Sequence, residues 1–333
     1  MAAIVETRDL TRRYGSMVAL DQLNLEIPQG AIFGFIGPNG AGKTTTMRIL
    51  TTLLPASGGE AWVAGHSVLK DPLGVRKVVG FMPDFFGVYD NMKVWEYLDF
   101  FGRSYSVTAS RRAGMIGELL NLVDLGHKRD EFVMTLSRGM KQRLSLARTM
   151  IHDPALLILD EPASGHDPRA RIELRELLKE LRALGKTVMI SSHILTELAE
   201  MCTHIAIIER GRLLAAGDVQ TILRSLQPHR TLELRVLDGA DRAEALLRDH
   251  AGVLDVRRDT AADLPDEVEQ AAAEAVASPQ YSQTLLVDYA GDERGMGELL
   301  ALLISNSVLV TRFAEQSSDL EDIFMQVTKG IVQ

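Results

Sequence analysis

The apolar positions of the chain follow two patterns that meet near residue 216. Up to that point short β-branched runs alternate with helical periods, and AIFGFIG (31–37), TVMIS (187–191) and HIAIIE (204–209) are nearly unbroken apolar stretches. Such runs suit strands buried on both faces, so residues 1–216 predict an α/β structure with a sheet between helices. Between Asp84 and about Arg148 the strand signal gives way to helical periodicity, as in WEYLDFFGRSY and MIGELLNLVDL. This predicts a helical subdomain inserted at about 84–148. After Gly217 come TLELRVL, DRAEALLRDH, GVLDVRRD, QTLLVDYA, ERGMGELLALLISN, SVLVTRFAE and DLEDIFMQVTKG. That order reads βαββαβ plus a closing helix, a ferredoxin-like α+β domain over 217–333. The acidic stretch Thr260 to Gln280 reads as an exposed helix or a loop.

Composition narrows the partners. A chain of 333 residues suggests about two domains, and its net charge of −9 gives no electrostatic reason to expect a nucleic acid. The single cysteine, Cys202, excludes an internal disulfide and fits a reducing compartment. PALLILDEP and ALLISNSVLV are too short and interrupted to cross a bilayer, which takes about 20 apolar residues. MAAIVETRDLTRRYG lacks the apolar core of a signal peptide, so the expected location is the cytosol. Half of the aromatic residues lie between Phe81 and Tyr105, and the stretch FMPDFFGVYD opens that cluster with one carboxylate, Asp84.

GPNGAGKT, from Gly37 to Thr44, matches the pattern G-x-x-x-x-G-K-[ST] between an apolar strand and the helical run TTTMRILTTLL. In such a loop the backbone of Gly37, Pro38, Asn39, Gly40, Ala41 and Gly42 wraps a polyphosphate, and N–H groups at a helix start point at it. Lys43 supplies a positive charge to the β- and γ-phosphates, Thr44 offers a hydroxyl to Mg²⁺, and Thr45 reaches an adjacent phosphate. In LLILDEP (156–162) a buried strand delivers Asp160 and Glu161 together at its C-terminal end, where α/β sheets place ligands. Asp160 is suited to hold Mg²⁺ through a water and Glu161 to orient and polarise the water that attacks the γ-phosphate. A P-loop, RecA-like sheet core with ATP and Mg²⁺ as ligands is the reading these two motifs give.

With LSRGMKQR (136–143) added, residues 3 to about 216 resemble the nucleotide-binding subunits of ABC transporters. In that family the signature segment completes the ATP site of a facing subunit, which implies a head-to-tail homodimer and assigns Ser137 and Gly139 to the partner's γ-phosphate. By the same resemblance Tyr14 stacks on adenine, His193 contacts the γ-phosphate as a switch, and Asp167 reaches across the dimer. Alone, each residue has an ordinary structural use: Ser137 and Asp167 as caps, Tyr14 as a packed loop ring, His193 as a strand-end residue. Catalysis is thereby assigned to Glu161, His193 and Lys43, and metal binding to Thr44, Asp84 and Asp160.

Four positions depart from the family pattern. Asp84 stands where glutamine is usual, so it is either a stronger metal ligand or a carboxylate turned to solvent. Arg138 and Met140 replace Gly and Gln in the signature, with Arg138 either beside the incoming phosphates or facing water. His166 replaces an apolar residue before Asp167.

The resemblance also implies a separate polytopic membrane permease, which places the chain peripherally at the cytoplasmic face of the membrane. Val94, Tyr97, Leu98 and Phe101 fall at helical spacing and read as internal core, leaving Phe85, Phe86, Val88 and Tyr89 as the partner-facing set. The signature variant and the long tail are similar to the ATP-binding subunits of bacterial ABC-2-type exporters, with regulation or dimer contact expected of the tail. The alternatives are an ABC-type ATPase not coupled to transport and a nucleotide-gated regulator.

Overall fold

The computed structural model describes residues 2–84, 87–163, 168–226, 230–259 and 283–315. Its packing divides the chain into two units, Met1–Ile222 and Leu223–Gln333.

The first unit is built on a six-stranded sheet. Its strands are β3 (Ile32–Ile36), β6 (Val79–Met82), β7 (Leu156–Leu159), β8 (Thr187–Ser192), β9 (His204–Glu209) and β10 (Arg212–Asp218), in the spatial order β10-β9-β3-β8-β7-β6. All neighbours are parallel except β10, which pairs antiparallel with β9 at the edge. Every residue of β3, β7 and β8 is buried, in keeping with their largely apolar runs. Gly34 sits in β3 because α7 (Leu195–Met201) and the residue that follows it approach closely there: a Cβ would lie 3.2 Å from Leu198 Cδ1 and 3.0 Å from Cys202 Sγ.

A second, antiparallel sheet, not separated out by the sequence reading, holds β1 (Ala3–Tyr14), β2 (Met17–Pro28), β4 (Gly58–Val63) and β5 (His66–Ser67) in the order β2-β1-β4-β5. In β2, Leu20, Leu23, Leu25 and Ile27 turn inward and form one core with Phe33, Phe35, Met47 and Ile158 of the main sheet and its first helix. That helix, α1 (Lys43–Leu50), buries Met47, Ile49 and Leu50.

Between Met82 and Leu156 the chain is mainly helical, after α2 (Pro72–Val78) has led into β6. It forms α3 (Val94–Ser104), α4 (Ala109–Leu122) and α5 (Arg138–Met150). Val94, Tyr97 and Leu98 are fully buried and Phe101 partly so, which makes them the inner face of α3. Helix α6 (Pro168–Ala183) lies between β7 and β8 in the chain, and α8 (Val219–Leu226) runs across the boundary between the two units.

The second unit contains β11 (Arg230–Asp238), α9 (Ala240–Arg248), β12 (Val253–Arg258), β13 (Gln283–Tyr289), α10 (Glu293–Ser305) and β14 (Leu309–Glu315). The strands form an antiparallel sheet in the order β12-β13-β11-β14, the ferredoxin-like topology. Leu232, Leu234, Leu285 and Val287 of the sheet pack with Ala243, Leu247, Leu299 and Leu303 of the two helices. The expected closing helix and the stretch 260–280 lie outside the described residues.

Candidate active site

Strands β3, β8 and β7 are adjacent and parallel, so the segments that leave their C-terminal ends emerge side by side. These segments are the glycine-rich loop, Ser191 to His193, and Asp160 with Glu161. Topology alone brings together three segments distant in sequence.

The loop's glycines meet hard steric limits. A Cβ on Gly37 would lie 2.3 Å from Ile208 O, and one on Gly42 would lie 2.8 Å from Ala19 O at a φ of 110°. Neither position accepts a side chain without backbone movement. Lys43 is 6% exposed, and its Nζ donates to Gly37 O at 2.6 Å and lies 3.4 Å from Glu161 Oε1. The other carboxylate oxygen of Glu161 is 3.1 Å from His193 Nδ1.

Asp160 is buried, and its two oxygens are separately engaged. Thr44 Oγ1 donates to Oδ2 at 2.9 Å and Ser191 Oγ donates to Oδ1 at 2.6 Å. Ser191 Oγ also accepts from the Glu161 N–H at 2.9 Å, so one hydroxyl fixes both carboxylate residues. Glu161 itself has φ 51°, a left-handed backbone that aims its side chain toward Lys43 instead of along the strand. Ser191 was missed by the sequence reading; its signal is a hydroxyl following the apolar run Val188–Ile190 near the C-terminal end of a buried strand.

The other expected residues are placed separately. Tyr14 is 42% exposed at the end of β1, with the Arg12 guanidinium 4.6 Å from its ring centroid. Ser137 caps α5 by accepting from the Met140 N–H at 3.3 Å, and Gly139 has open space around its Cβ direction. Ser137, Arg138 and Gly139 are all exposed. Asp84 is exposed and has no hydrogen bond or ion pair among the described residues, so it is not joined to the Thr44–Asp160 pair. Tyr89 is exposed yet packs edge-on against Phe100, with centroids 5.6 Å apart. Phe85, Phe86, His166 and Asp167 lie outside the described residues.

Comparison with known proteins agrees with this geometry. The family model described as "ABC transporter" matches residues 20–164. A Nod factor export ATP-binding protein I of Cupriavidus metallidurans is 33% identical over 98% of this chain and 98% of its own length. The chain belongs to the ABC transporter ATP-binding proteins. This ABC ATPase, an ATP-binding and ATP-hydrolysing protein, is also 33% identical to the daunorubicin/doxorubicin resistance ATP-binding protein DrrA of Streptomyces peucetius, over 97% of this chain and 92% of the relative. The bacitracin transport ATP-binding protein BcrA of Bacillus licheniformis is 32% identical over 99% of both chains. Among solved structures, an ATP-binding subunit of an ABC transporter superposes on the ABC ATPase with a TM-score of 0.61 and 27% identity, covering 67% of this chain and 92% of the other.

Proposed function

We propose that this ABC ATPase drives export through a separate membrane permease, working as a head-to-tail homodimer that encloses two ATP and two Mg²⁺. The observation that carries the chemical part is the Lys43–Glu161–His193 cluster beside the Thr44–Asp160 pair. Water attacks the γ-phosphorus, the bond from phosphorus to the bridging oxygen breaks, and ADP departs. Glu161 orients that water and takes its proton, Lys43 holds the phosphates with the loop N–H groups of Asn39, Gly40 and Gly42 and with Thr45, and His193 steadies Glu161 and meets the γ-phosphate.

Thr44 and Asp160 suit magnesium. They offer hard oxygen donors, and a carboxylate with a hydroxyl is a usual protein share when phosphates and waters fill the remaining positions. When bound, the ion neutralises charge on the β- and γ-phosphates. Among the described residues no group of three or more His, Cys, Asp or Glu side chains could hold a metal alone, which agrees with a nucleotide-borne ion. Asp84 is proposed as a further oxygen ligand once nucleotide is present.

Ser137 and Gly139 are proposed to meet the γ-phosphate of the facing copy, with Asp167 reaching across the same seam and Tyr14 stacking on adenine. Exposure of the signature residues and the purely local hydrogen bond of Ser137 support this. The relatives named for Nod factor export, daunorubicin/doxorubicin resistance and bacitracin transport support the export role and a position at the cytoplasmic face of the membrane. No helix among the described residues is long and apolar enough to cross a membrane, so the pathway itself is assigned to the permease, contacted through Phe85, Phe86 and Tyr89. Residues 1–216 are the ATPase domain and 217–333 an accessory domain for regulation or dimer contact.

The test has two arms. Tagged protein recovers a polytopic partner from its native membranes, and ATP turnover of the purified pair exceeds that of the ATPase alone. Turnover without any membrane partner would favour an uncoupled ATPase; absence of turnover even with the partner would favour a nucleotide-gated regulator.

A further inference from the structure

The Arg12 side chain is held against Tyr14 by more than the ring. Its Nη1 donates to Pro55 O at 2.8 Å, its Nε is buried without a hydrogen-bond partner among the described residues, and its guanidinium carbon stands 4.6 Å from the Tyr14 centroid. The strand end that carries both residues is fixed as well. Arg13 N–H donates to Ser57 Oγ at 3.0 Å, Ser57 N–H to Thr11 O at 2.8 Å, and Gln22 N–H to Thr11 Oγ1 at 3.2 Å. With Arg12 over one face, Tyr14 remains 42% exposed.

This platform is tied to the phosphate loop through β2. Met17 pairs with Tyr14, and three residues further on Leu20 borders the loop, where a Cβ on Gly42 would lie 2.7 Å from Leu20 Cδ2. Three strand residues span about 10 Å, a separation compatible with a base at one end and its polyphosphate at the other.

We infer that Arg12 is a positioning residue for the purine: it backs the Tyr14 ring and presents the opposite face as a fixed stacking surface. The inference rests on the proposed adenine contact of Tyr14. Two physical effects act together. The pinned guanidinium holds the ring plane before the base arrives, so less side-chain entropy is lost on binding. The cation also draws on the ring's π-electrons and lowers their repulsion with those of a stacked base. Neither effect reaches the phosphates, so Arg12 governs the base's share of affinity alone.

The experiment measures dissociation constants of the full chain for ATP and for inorganic tripolyphosphate in the same magnesium buffer. The proteins are wild type, Arg12→Leu, Arg12→Gln and Tyr14→Ala, with melting curves to confirm folding. Arg12→Leu is expected to weaken ATP about two- to fivefold, the size of a surface cation–π contact, and to leave tripolyphosphate unchanged. Arg12→Gln, which keeps a donor for Pro55 O but no charge, serves the same comparison should the leucine variant fail to fold. Tyr14→Ala is expected to weaken ATP more than either and to spare tripolyphosphate. Unchanged ATP affinity in both Arg12 variants beside a weakened Tyr14→Ala overturns the role of Arg12 alone. An equal loss for tripolyphosphate overturns it too, because Arg12 then acts through general charge or structure. If Tyr14→Ala binds ATP as wild type does, the adenine contact fails and the inference fails with it.

Discussion

Lys43 and Glu161 are paired with each other: Nζ lies 3.4 Å from Oε1, with the two side chains only 6% and 15% exposed. Each is proposed to serve the γ-phosphate, so an arriving nucleotide competes with Glu161 for the lysine. The exchange leaves Glu161 with His193 and with water, the arrangement a general base requires.

Glu161→Gln keeps the shape of this cluster and removes its basicity. Phosphate release should fall by about a hundredfold or more, while ATP binding persists or tightens because the amide competes less for Lys43. Steady-state phosphate assay beside equilibrium titration separates the two effects.

Ser191→Ala removes the hydroxyl that links Asp160 to the Glu161 backbone. A buried hydrogen-bonded group of this kind contributes about 1 kcal/mol, so turnover should drop several-fold at nearly constant ATP affinity. A loss confined to ATP affinity would place Ser191 on the binding side instead.

Asp84→Ala tests whether the exposed carboxylate has a role beyond solvation. Stability should change by less than about 0.5 kcal/mol, as for other unpaired surface groups, while the magnesium concentration needed for half-maximal turnover rises. Unchanged magnesium dependence would leave Asp84 as a solvated side chain.

Gly37→Ala forces a methyl group toward Ile208 O in a loop with no slack. A destabilisation of about 1–3 kcal/mol is expected in denaturant melts. Gly87→Ala, where nothing among the described residues lies within 4 Å of the added carbon, should differ little from wild type.

Asp99 in α3 provides a pH signature of the helical subdomain. Burial pushes its pKa up, but hydrogen bonds from Arg112 and Arg103 outweigh this and hold it below the usual aspartate value of about 3.8. A lowered folded-state pKa means its stabilisation is present above about 3.8 and is lost as pH falls through the folded value. Asp99→Asn should therefore melt earlier than wild type at neutral pH and converge with it in acid, as read from melts across that window.

The three wholly buried strands of the main sheet were legible because β3, β7 and β8 carry largely apolar runs, and the phosphate loop because Gly37 to Thr44 is a dense motif. The antiparallel sheet was harder. MVALDQLNLEIP alternates as a half-buried strand should, yet nothing local states that it pairs with β1 and packs beneath α1 instead of joining the parallel set. Lys43 and Glu161 were each legible as site residues; their mutual pairing was not, since it depends on the left-handed backbone at Glu161. Arg12 escaped notice for a similar reason. A second basic residue in LTRRYG carries no mark that distinguishes the one over the ring from its neighbour.

The close approach of Cys202 to Gly34 has a practical corollary. The chain has one thiol, and burial raises its pKa far above the ordinary range, so almost none is present as thiolate at neutral pH. The natural chain is therefore a quiet background for site-specific labelling. A cysteine introduced at an exposed position such as Tyr89 or Arg138 would be the dominant target for a maleimide probe, and paired labels could follow distances between copies of the chain as nucleotide is added and consumed.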